Sequence, residues 1–378
     1  MNRMVGPRVF VLHALSGVPE EVRLAQAYVQ ACMPATAAAA PAAWPLLTEA
    51  LRARGAAAVV VIASGFTPAR YRHWLDAAHA RGWVAPQAAG DIDGDRLPAA
   101  WQARLALGHV PADAALLAWP ALPRLSWGDR PDGLSTPPVS ARHAMDPPIG
   151  LYAIVDDAAA LRRVLQAGVR TVQLRIKRPA DADAAWTAAL RDAIGDSLAA
   201  ADGHGSLLFI NDHWRLAAEL GARAVHLGQE DLLALDERGH AELRASGLDL
   251  GVSSHAVWEL CRARSLAPKY IACGPVWPTT TKDMPWRPQG LDNLAWWCRA
   301  ADAPVVAIGG ILTPEQVRQT AAAGASGVCV LRGLGSDPQR TVAALQQAFE
   351  QGRQAALADA GQPIGQMHPT LGPAGIST

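Results

Sequence analysis

Two acidic residues, Asp212 and Asp231, follow two short apolar runs at 207–210 and 224–227, and a helix-like segment at 214–220 separates the runs. Strands joined through a helix of that length lie parallel, so both carboxylates arrive at one mouth. Two hard oxygen ligands facing each other across a cleft suit Mg²⁺, which proteins hold through one or two carboxylates together with substrate phosphates. Glu230 stands beside Asp231 as a third acid. The same residues also fit as caps on the helices that follow them.

A second group carries the opposite charge. In the run Gln173-Leu174-Arg175-Ile176-Lys177, period-two alternation turns Gln173, Arg175 and Lys177 to one side. Two cations and an amide at one mouth suit a phosphate-rich ligand, a pyrophosphate whose Mg²⁺ the carboxylates bind; a strand running into a solvated basic loop is the alternative. Further along, Ser253, Ser254 and His255 offer hydroxyls and an imidazole, or a cap for the helix from Ala256. The segment Thr279-Thr280-Thr281-Lys282, stiffened by Pro275 and Pro278, suits a second anion, with Trp277 and Trp286 stiffening or covering the loop. Adjacent Gly309 and Gly310 let backbone N–H groups approach a phosphate, and Leu331-Arg332-Gly333 completes that site.

These residues need a frame that gathers them. Eight short apolar runs lie at 151–155, 171–174, 207–210, 224–227, 248–252, 270–273, 305–308 and 327–331. Segments of helical periodicity fall between them, among them 159–167, 182–201, 257–266 and 314–323. Eight such alternations fit a (β/α)₈ TIM barrel, whose active site lies at the carboxyl ends of its strands. An open doubly wound sheet is the rival, although it does not demand eight units.

The N-terminal part reads as a small α/β domain. Strands are expected at 8–15 and 57–63, helices at 20–32, 46–54, 68–81 and 99–107, and a Pro/Ala loop at 34–45. Prolines among Gly, Ser and Asp mark 129–148 as a linker. The division is therefore 1–128, the linker 129–148, a barrel at 149–357 and a flexible tail at 358–378, with residues 146–378 sufficient for catalysis.

Composition narrows the partners. Half of the 378 residues are hydrophobic, and 34 basic residues balance 34 acidic ones, which leaves no net charge to favour nucleic acid or an anionic membrane. The longest strongly apolar stretch, 56–63, is far too short to span a bilayer, so a soluble cytoplasmic protein is expected. Five cysteines without a CxxC pair argue against zinc and against a disulfide framework.

In family order, the strand ends carry Gly-Leu-Tyr-Ala-Ile-Val-Asp at 150–156, Gln-Leu-Arg-Ile-Lys at 173–177, Ile-Asn-Asp at 210–212 and His-Leu-Gly-Gln-Glu-Asp at 226–231. Then come Gly-Val-Ser-Ser-His at 251–255, Gly-Pro-Val-Trp-Pro-Thr-Thr-Thr-Lys at 274–282 and Ala-Ile-Gly-Gly-Ile at 307–311. This set resembles thiamine phosphate synthase. The resemblance implies a transferase that couples hydroxymethylpyrimidine diphosphate to a thiazole phosphate, with small-molecule substrates and Mg²⁺. It implies that Gln173, Arg175, Lys177 and Asn211 hold the pyrimidine diphosphate, with Leu174 and Ile176 in the same binding run, and that Asp212 and Asp231 hold the metal. Ser253 is implied beside the pyrimidine or its diphosphate. Thr279, Thr280, Thr281, Lys282, Gly309, Gly310, Leu331 and Arg332 are implied around the thiazole phosphate, Lys282 also reaching the diphosphate. Arg175, Lys177, Ser253 and Lys282 are the implied catalytic set. Arg332 departs from the small or hydroxylated residue that the family commonly has there. A non-catalytic regulator of thiazole metabolism is the alternative function. More faintly, residues 93–121 resemble the end of a degenerate hydroxymethylpyrimidine phosphate kinase, and an interaction module is the other reading of that part.

Overall fold

The computed structural model describes residues 9–15, 29–33, 44–53, 56–63, 73–86, 96–127, 129, 148–279, 285–358 and 365–371. The chain divides into two compact units, one of Met1–Pro138, Ala256–Leu266 and His368–Thr378, the other of Val139–His255 and Ala267–Met367.

The second unit holds eight parallel strands: β7 (Gly150–Val155), β8 (Thr171–Leu174), β9 (Leu207–Asn211), β10 (Ala224–Leu227), β11 (Asp249–Ser254), β12 (Tyr270–Cys273), β13 (Val305–Ala307) and β14 (Gly327–Val330). They close into a barrel in chain order, β14 pairing with β7. All eight fall on the expected runs to within two residues, because strands buried on both faces read as near-continuous apolar segments. Helices Ala158–Gln166, Ala184–Gly203, Trp214–Glu219, Pro314–Ala322 and Pro338–Ala358 lie between or after them. Asp157, Asp183 and Thr313 each accept a backbone N–H at a helix start, which fixes where those helices begin. The barrel interior is filled by Ile149, Tyr152, Ile154, Phe209, Ala224, Tyr270, Ala272, Val306 and Cys329. Its aromatic members meet edge to face, Tyr152 with Tyr270 at 5.6 Å and Phe209 with Tyr270 at 5.1 Å between centroids. Each such pair contributes about 0.5–1.5 kcal/mol beyond area burial.

The first unit corrects the reading of the N-terminal part. Among the described residues its sheet has six antiparallel strands, not two, in the order Val29–Met33, Val9–Leu15, Ala56–Ala63, His73–Ala77, Arg81–Ala85 and Arg124–Leu125. These are β1 (Val9–Leu15), β2 (Val29–Met33), β3 (Ala56–Ala63), β4 (His73–Ala77), β5 (Arg81–Ala85) and β6 (Arg124–Leu125). Of the helix expected at 68–81, residues 73–81 are instead the strand β4 and the turn into β5, and residues 68–72 lie outside the described residues. All five β4 residues are buried, Trp74 and Leu75 completely and polar His73 and Asp76 with them, so the run shows no alternation of apolar and polar residues that would reveal its period. Part of the helix expected at 20–32 falls on the strand β2; residues 20–28 lie outside the described residues. The helices expected at 46–54 and 99–107 are present as Trp44–Ala53 and Arg96–Ala106. Trp44, Val59, Val61, Trp74 and Trp83 form this unit's core. Thr48 ties it together, donating to Asp76 Oδ2 at 2.9 Å and accepting from Trp74 Nε1 at 2.9 Å.

Helix Val257–Arg264 belongs to the first unit, and every one of its residues is buried. Its N-cap, Ala256, brings no side-chain cap, and Asp113 Oδ1 accepts from the Trp258 N–H at 3.0 Å instead. Arg264 donates to the carbonyls of Leu122 at 2.7 Å and Pro123 at 3.0 Å. The linker region 130–147 lies outside the described residues. Within the stretch expected to be a flexible tail, Met367, Thr370 and Leu371 are buried. No helix among the described residues is long and apolar enough to cross a membrane.

Candidate active site at the carboxyl ends of the barrel strands

β9 and β10 are parallel neighbours, with Asn211 opposite His226 in register. Just past β9, Asp212 adopts a left-handed backbone (φ +64°) while its N–H donates to the His226 carbonyl at 3.0 Å. That conformation is uncommon outside glycine, although Asp tolerates it better than most residues. Lys177, three residues past β8, pairs with Asp212 through Nζ and Oδ2. Asp231 lies in the first turn of helix Gln229–Leu233, and its Oδ2 accepts from the Gly228 N–H at 2.9 Å. The capping reading is thus realised for Asp231, which nevertheless also meets the other acid. Burial raises the Asp231 carboxyl above the ordinary carboxylate range, and the charge of Asp212 and a hydrogen bond between the two side chains add to the rise.

Beneath the mouth, the barrel floor is polar. Gln173 Nε2 donates to the Tyr152 hydroxyl at 3.1 Å, and that hydroxyl lies 2.9 Å from the Tyr270 hydroxyl. Tyr270 reaches His226 Nδ1 at 2.6 Å, and His226 Nε2 reaches Ser253 Oγ at 2.7 Å. Burial pushes His226 down to about 4 and both tyrosines above their ordinary value. Gln229 Nε2 donates to the Ser253 carbonyl at 3.0 Å and to Ser254 Oγ at 3.1 Å, so Ser254 serves this contact and does not cap the next helix. Asn211 is buried, and its Nδ2 has no hydrogen-bond partner in the structure, leaving a donor for a ligand.

At the other side of the mouth, Gly309 (φ +93°) and Gly310 (φ +72°) take the left-handed backbone. A Cβ on Gly309 would stand 2.6 Å from Pro275 Cα, and one on Gly310 2.6 Å from Trp277 Cβ, so only glycine fits either position. The turn is held by Trp277 N–H donating to the Gly309 carbonyl at 3.1 Å and by Gln316 Nε2 donating to the Gly310 carbonyl at 3.1 Å. Trp286 stacks on the His255 ring at 5.4 Å, with planes 9° apart.

Direct contacts thus join Lys177, Asp212 and Asp231, while Gln173 and Ser253 are joined through the floor. Arg175 is half-buried, its N–H held by the Val155 carbonyl at 2.7 Å; Leu174 is buried and Ile176 half-buried. Thr279 is half-buried, whereas Thr280, Thr281 and Lys282 lie outside the described residues. Leu331 and Arg332 follow β14 and are exposed. Tyr152, His226, Gln229 and Tyr270 had no role in the sequence reading. For Tyr152, His226 and Tyr270 the signal was a polar or phenolic residue inside an apolar strand run, most visibly His226 within Ala-Val-His-Leu; Gln229 opens the helix after β10 and carried no such signal. Among the described residues no group of three or more His, Cys, Asp or Glu side chains is arranged to hold a metal ion; the acidic site is a pair.

The sequence profile of the family described as thiamine monophosphate synthase matches residues 151–334. The thiamine-phosphate synthase of Neisseria meningitidis serogroup A is 44% identical over 206 residues, covering 54% of this chain and 96% of that protein. The one from Yersinia pestis (strain Pestoides F) is 43% identical over 205 residues, covering 53% of this chain and 91% of that protein. A solved thiamine phosphate pyrophosphorylase from Pyrococcus furiosus is 24% identical with a TM-score of 0.47, covering 55% of this chain and 99% of that one. The kinase resemblance read at residues 93–121 lies outside the span that the family profile matches. With 96% of the Neisseria protein covered at 44% identity and every motif of the resemblance in family order, the chain belongs to the thiamine monophosphate synthase family.

Proposed function

We propose that the chain joins hydroxymethylpyrimidine diphosphate to a thiazole phosphate, or to its carboxylated form with loss of carbon dioxide, giving thiamine phosphate and diphosphate. The observation that carries this reading is the meeting of Lys177, Asp212 and Asp231 at the ends of adjacent strands, in a chain 44% identical to a thiamine-phosphate synthase.

The carboxylate pair fits a hard divalent cation, since burial and mutual repulsion leave Asp231 short of positive charge. Asp212 and Asp231 would hold Mg²⁺, which supplies charge neutralisation to a diphosphate leaving group. Lys177 and Arg175 bind the same diphosphate, and the buried Asn211 Nδ2 supplies a donor to it. The carbon–oxygen bond breaks with its electron pair leaving on the diphosphate, and the thiazole nitrogen forms the new carbon–nitrogen bond. The pyrimidine stabilises the cation between those events, so no protein nucleophile is required and the work of the site is electrostatic. The Gly309–Gly310 turn, Thr279, Thr280, Thr281, Leu331 and Arg332 receive the thiazole phosphate, and Lys282 reaches both substrates. A small-molecule biosynthetic role of this kind agrees with a cytoplasmic protein.

Steady-state kinetics of two variants test the division of labour. Lys282→Ala lowers kcat, because it acts on the departing diphosphate. Arg332→Ala mainly raises the thiazole phosphate KM, by about one to two orders of magnitude for a lost charge-assisted contact of about 1.5–3 kcal/mol. An unchanged KM in Arg332→Ala contradicts the assignment of Arg332 and leaves the backbone amides to form that site.

A further inference from the structure

Four hydrogen bonds string five side chains from five different strands across the barrel floor: Gln173, Tyr152, Tyr270, His226 and Ser253. The two ends, Gln173 and Ser253, are residues that the family resemblance implies at the pyrimidine diphosphate. The three in the middle are buried, both tyrosines to within 1% of full burial. In such a chain the hydrogens are countable. A tyrosine hydroxyl has one to give, and a neutral imidazole has one on either nitrogen.

Gln173 Nε2 donates to Tyr152, so the Tyr152 hydrogen goes on to Tyr270. The Tyr270 hydrogen then goes to His226 Nδ1, which must be bare to receive it. The imidazole hydrogen therefore sits on Nε2 and points at Ser253 Oγ. Any other arrangement with Gln173 in this orientation strands a buried hydroxyl hydrogen without an acceptor, at a cost of about 1–3 kcal/mol. With Ser253 Oγ accepting from His226, the serine's own hydrogen is left for whatever lies above the floor, while Gln173 Oε1 stays outside the chain.

We propose that His226 is a positioning residue: held by Tyr270 in the Nε2–H tautomer, it obliges Ser253 to present its hydroxyl hydrogen, so that the floor selects a heterocycle with an acceptor atom facing Ser253. The proposal rests on the placement of Ser253 at the pyrimidine. It gives a physical reason for Gly251, which pairs in register with His226 and whose lack of a side chain makes room for the Tyr270 ring; a Cβ there would stand 2.6 Å from the Tyr270 hydroxyl oxygen.

The tautomer is read directly, without turnover, from two-bond ¹H–¹⁵N correlations of the histidine ring in full-length labelled protein. The wild-type chain shows His226 with its hydrogen on Nε2, and Tyr270→Phe, which removes one oxygen, loses this single tautomer. A hydrogen on Nδ1 in the wild type overturns the proposal, since it means that the Gln173 amide is reversed and the whole chain runs the other way. Binding then tests the consequence, using hydroxymethylpyrimidine diphosphate and two analogues, each with one ring nitrogen replaced by C–H. One analogue binds wild type about tenfold more weakly, as loss of one hydrogen bond of about 1.4 kcal/mol requires. That penalty disappears in Ser253→Ala and shrinks in Tyr270→Phe, and His226→Gln, whose amide still donates, retains more of it than His226→Leu. Equal penalties in wild type, Ser253→Ala and Tyr270→Phe contradict the proposal. Failure of the wild type to bind the parent diphosphate while showing the Nε2–H tautomer instead tells against the proposed function.

Discussion

Asp231 answers two demands that pull against each other. It holds the Gly228 N–H at the start of a helix, and it faces Asp212 closely enough to share a hydrogen bond. Its folded carboxyl is raised above the unfolded value, so folding favours the protonated form and the stability it contributes is lost as pH rises through its raised value. Asp231→Asn removes that penalty and can still accept from Gly228. Metal-free Asp231→Asn is therefore expected to melt at or above the wild-type temperature while its kcat falls by about two orders of magnitude or more, a size typical of removing one electrostatic stabiliser. Asp212→Asn should lose turnover similarly, while Glu230→Gln, beside the pair, should not. Melting curves and rates on the same samples check this, and a near-normal rate in both Asp variants with Mg²⁺ limiting contradicts the metal assignment.

The barrel strands and their terminal residues were legible because each strand is a short, doubly buried run closed by polar residues, as in Leu-Phe-Ile-Asn-Asp ending at Asp212. The β4 strand was not, since a buried run with Trp74 and Leu75 fits a helix or a strand until its partners are known. The floor residues escaped for another reason. Tyr152 and Tyr270 are 118 positions apart, and nothing local announces that barrel closure will join them. The Gly309–Gly310 turn lies between these cases: its glycines were visible, but the close approach of Pro275 and Trp277 that requires them was not. Gly310→Ala combines left-handed strain with a clash and is expected to cost about 2–4 kcal/mol. Gly205→Ala has positive φ but nothing within 4 Å of the added Cβ, and should cost only the strain part. Chemical denaturation of the two variants side by side measures the difference.

For the molecule as a whole, Asp113 carries the N-terminal unit's clearest pH signature. Burial pushes its carboxyl up to about 8 from 3.8, so its contribution to stability is full below the unfolded value and declines as pH rises towards about 8. Asp113→Asn keeps an acceptor for Trp258 N–H, and its melting temperature should fall less than that of wild type between about pH 5 and pH 8. An equal fall in both chains contradicts the raised carboxyl. The same contacts bear on the fragment 146–378. It contains every proposed site residue, yet helix Val257–Arg264 would lose its described partners at Asp113, Leu122 and Pro123. Charged side chains on that helix, Glu259, Arg262 and Arg264, are buried in the full chain, so the fragment is expected to retain substrate binding but to melt well below it.

The most direct measurement is mass-spectrometric detection of product from the purified full chain incubated with hydroxymethylpyrimidine diphosphate, thiazole phosphate and Mg²⁺. Thiamine phosphate and diphosphate should accumulate in equal amounts, stop on chelation of the metal, and fall sharply with Asp212→Asn. Binding of both substrates by folded, Mg²⁺-loaded protein without any thiamine phosphate would contradict the account.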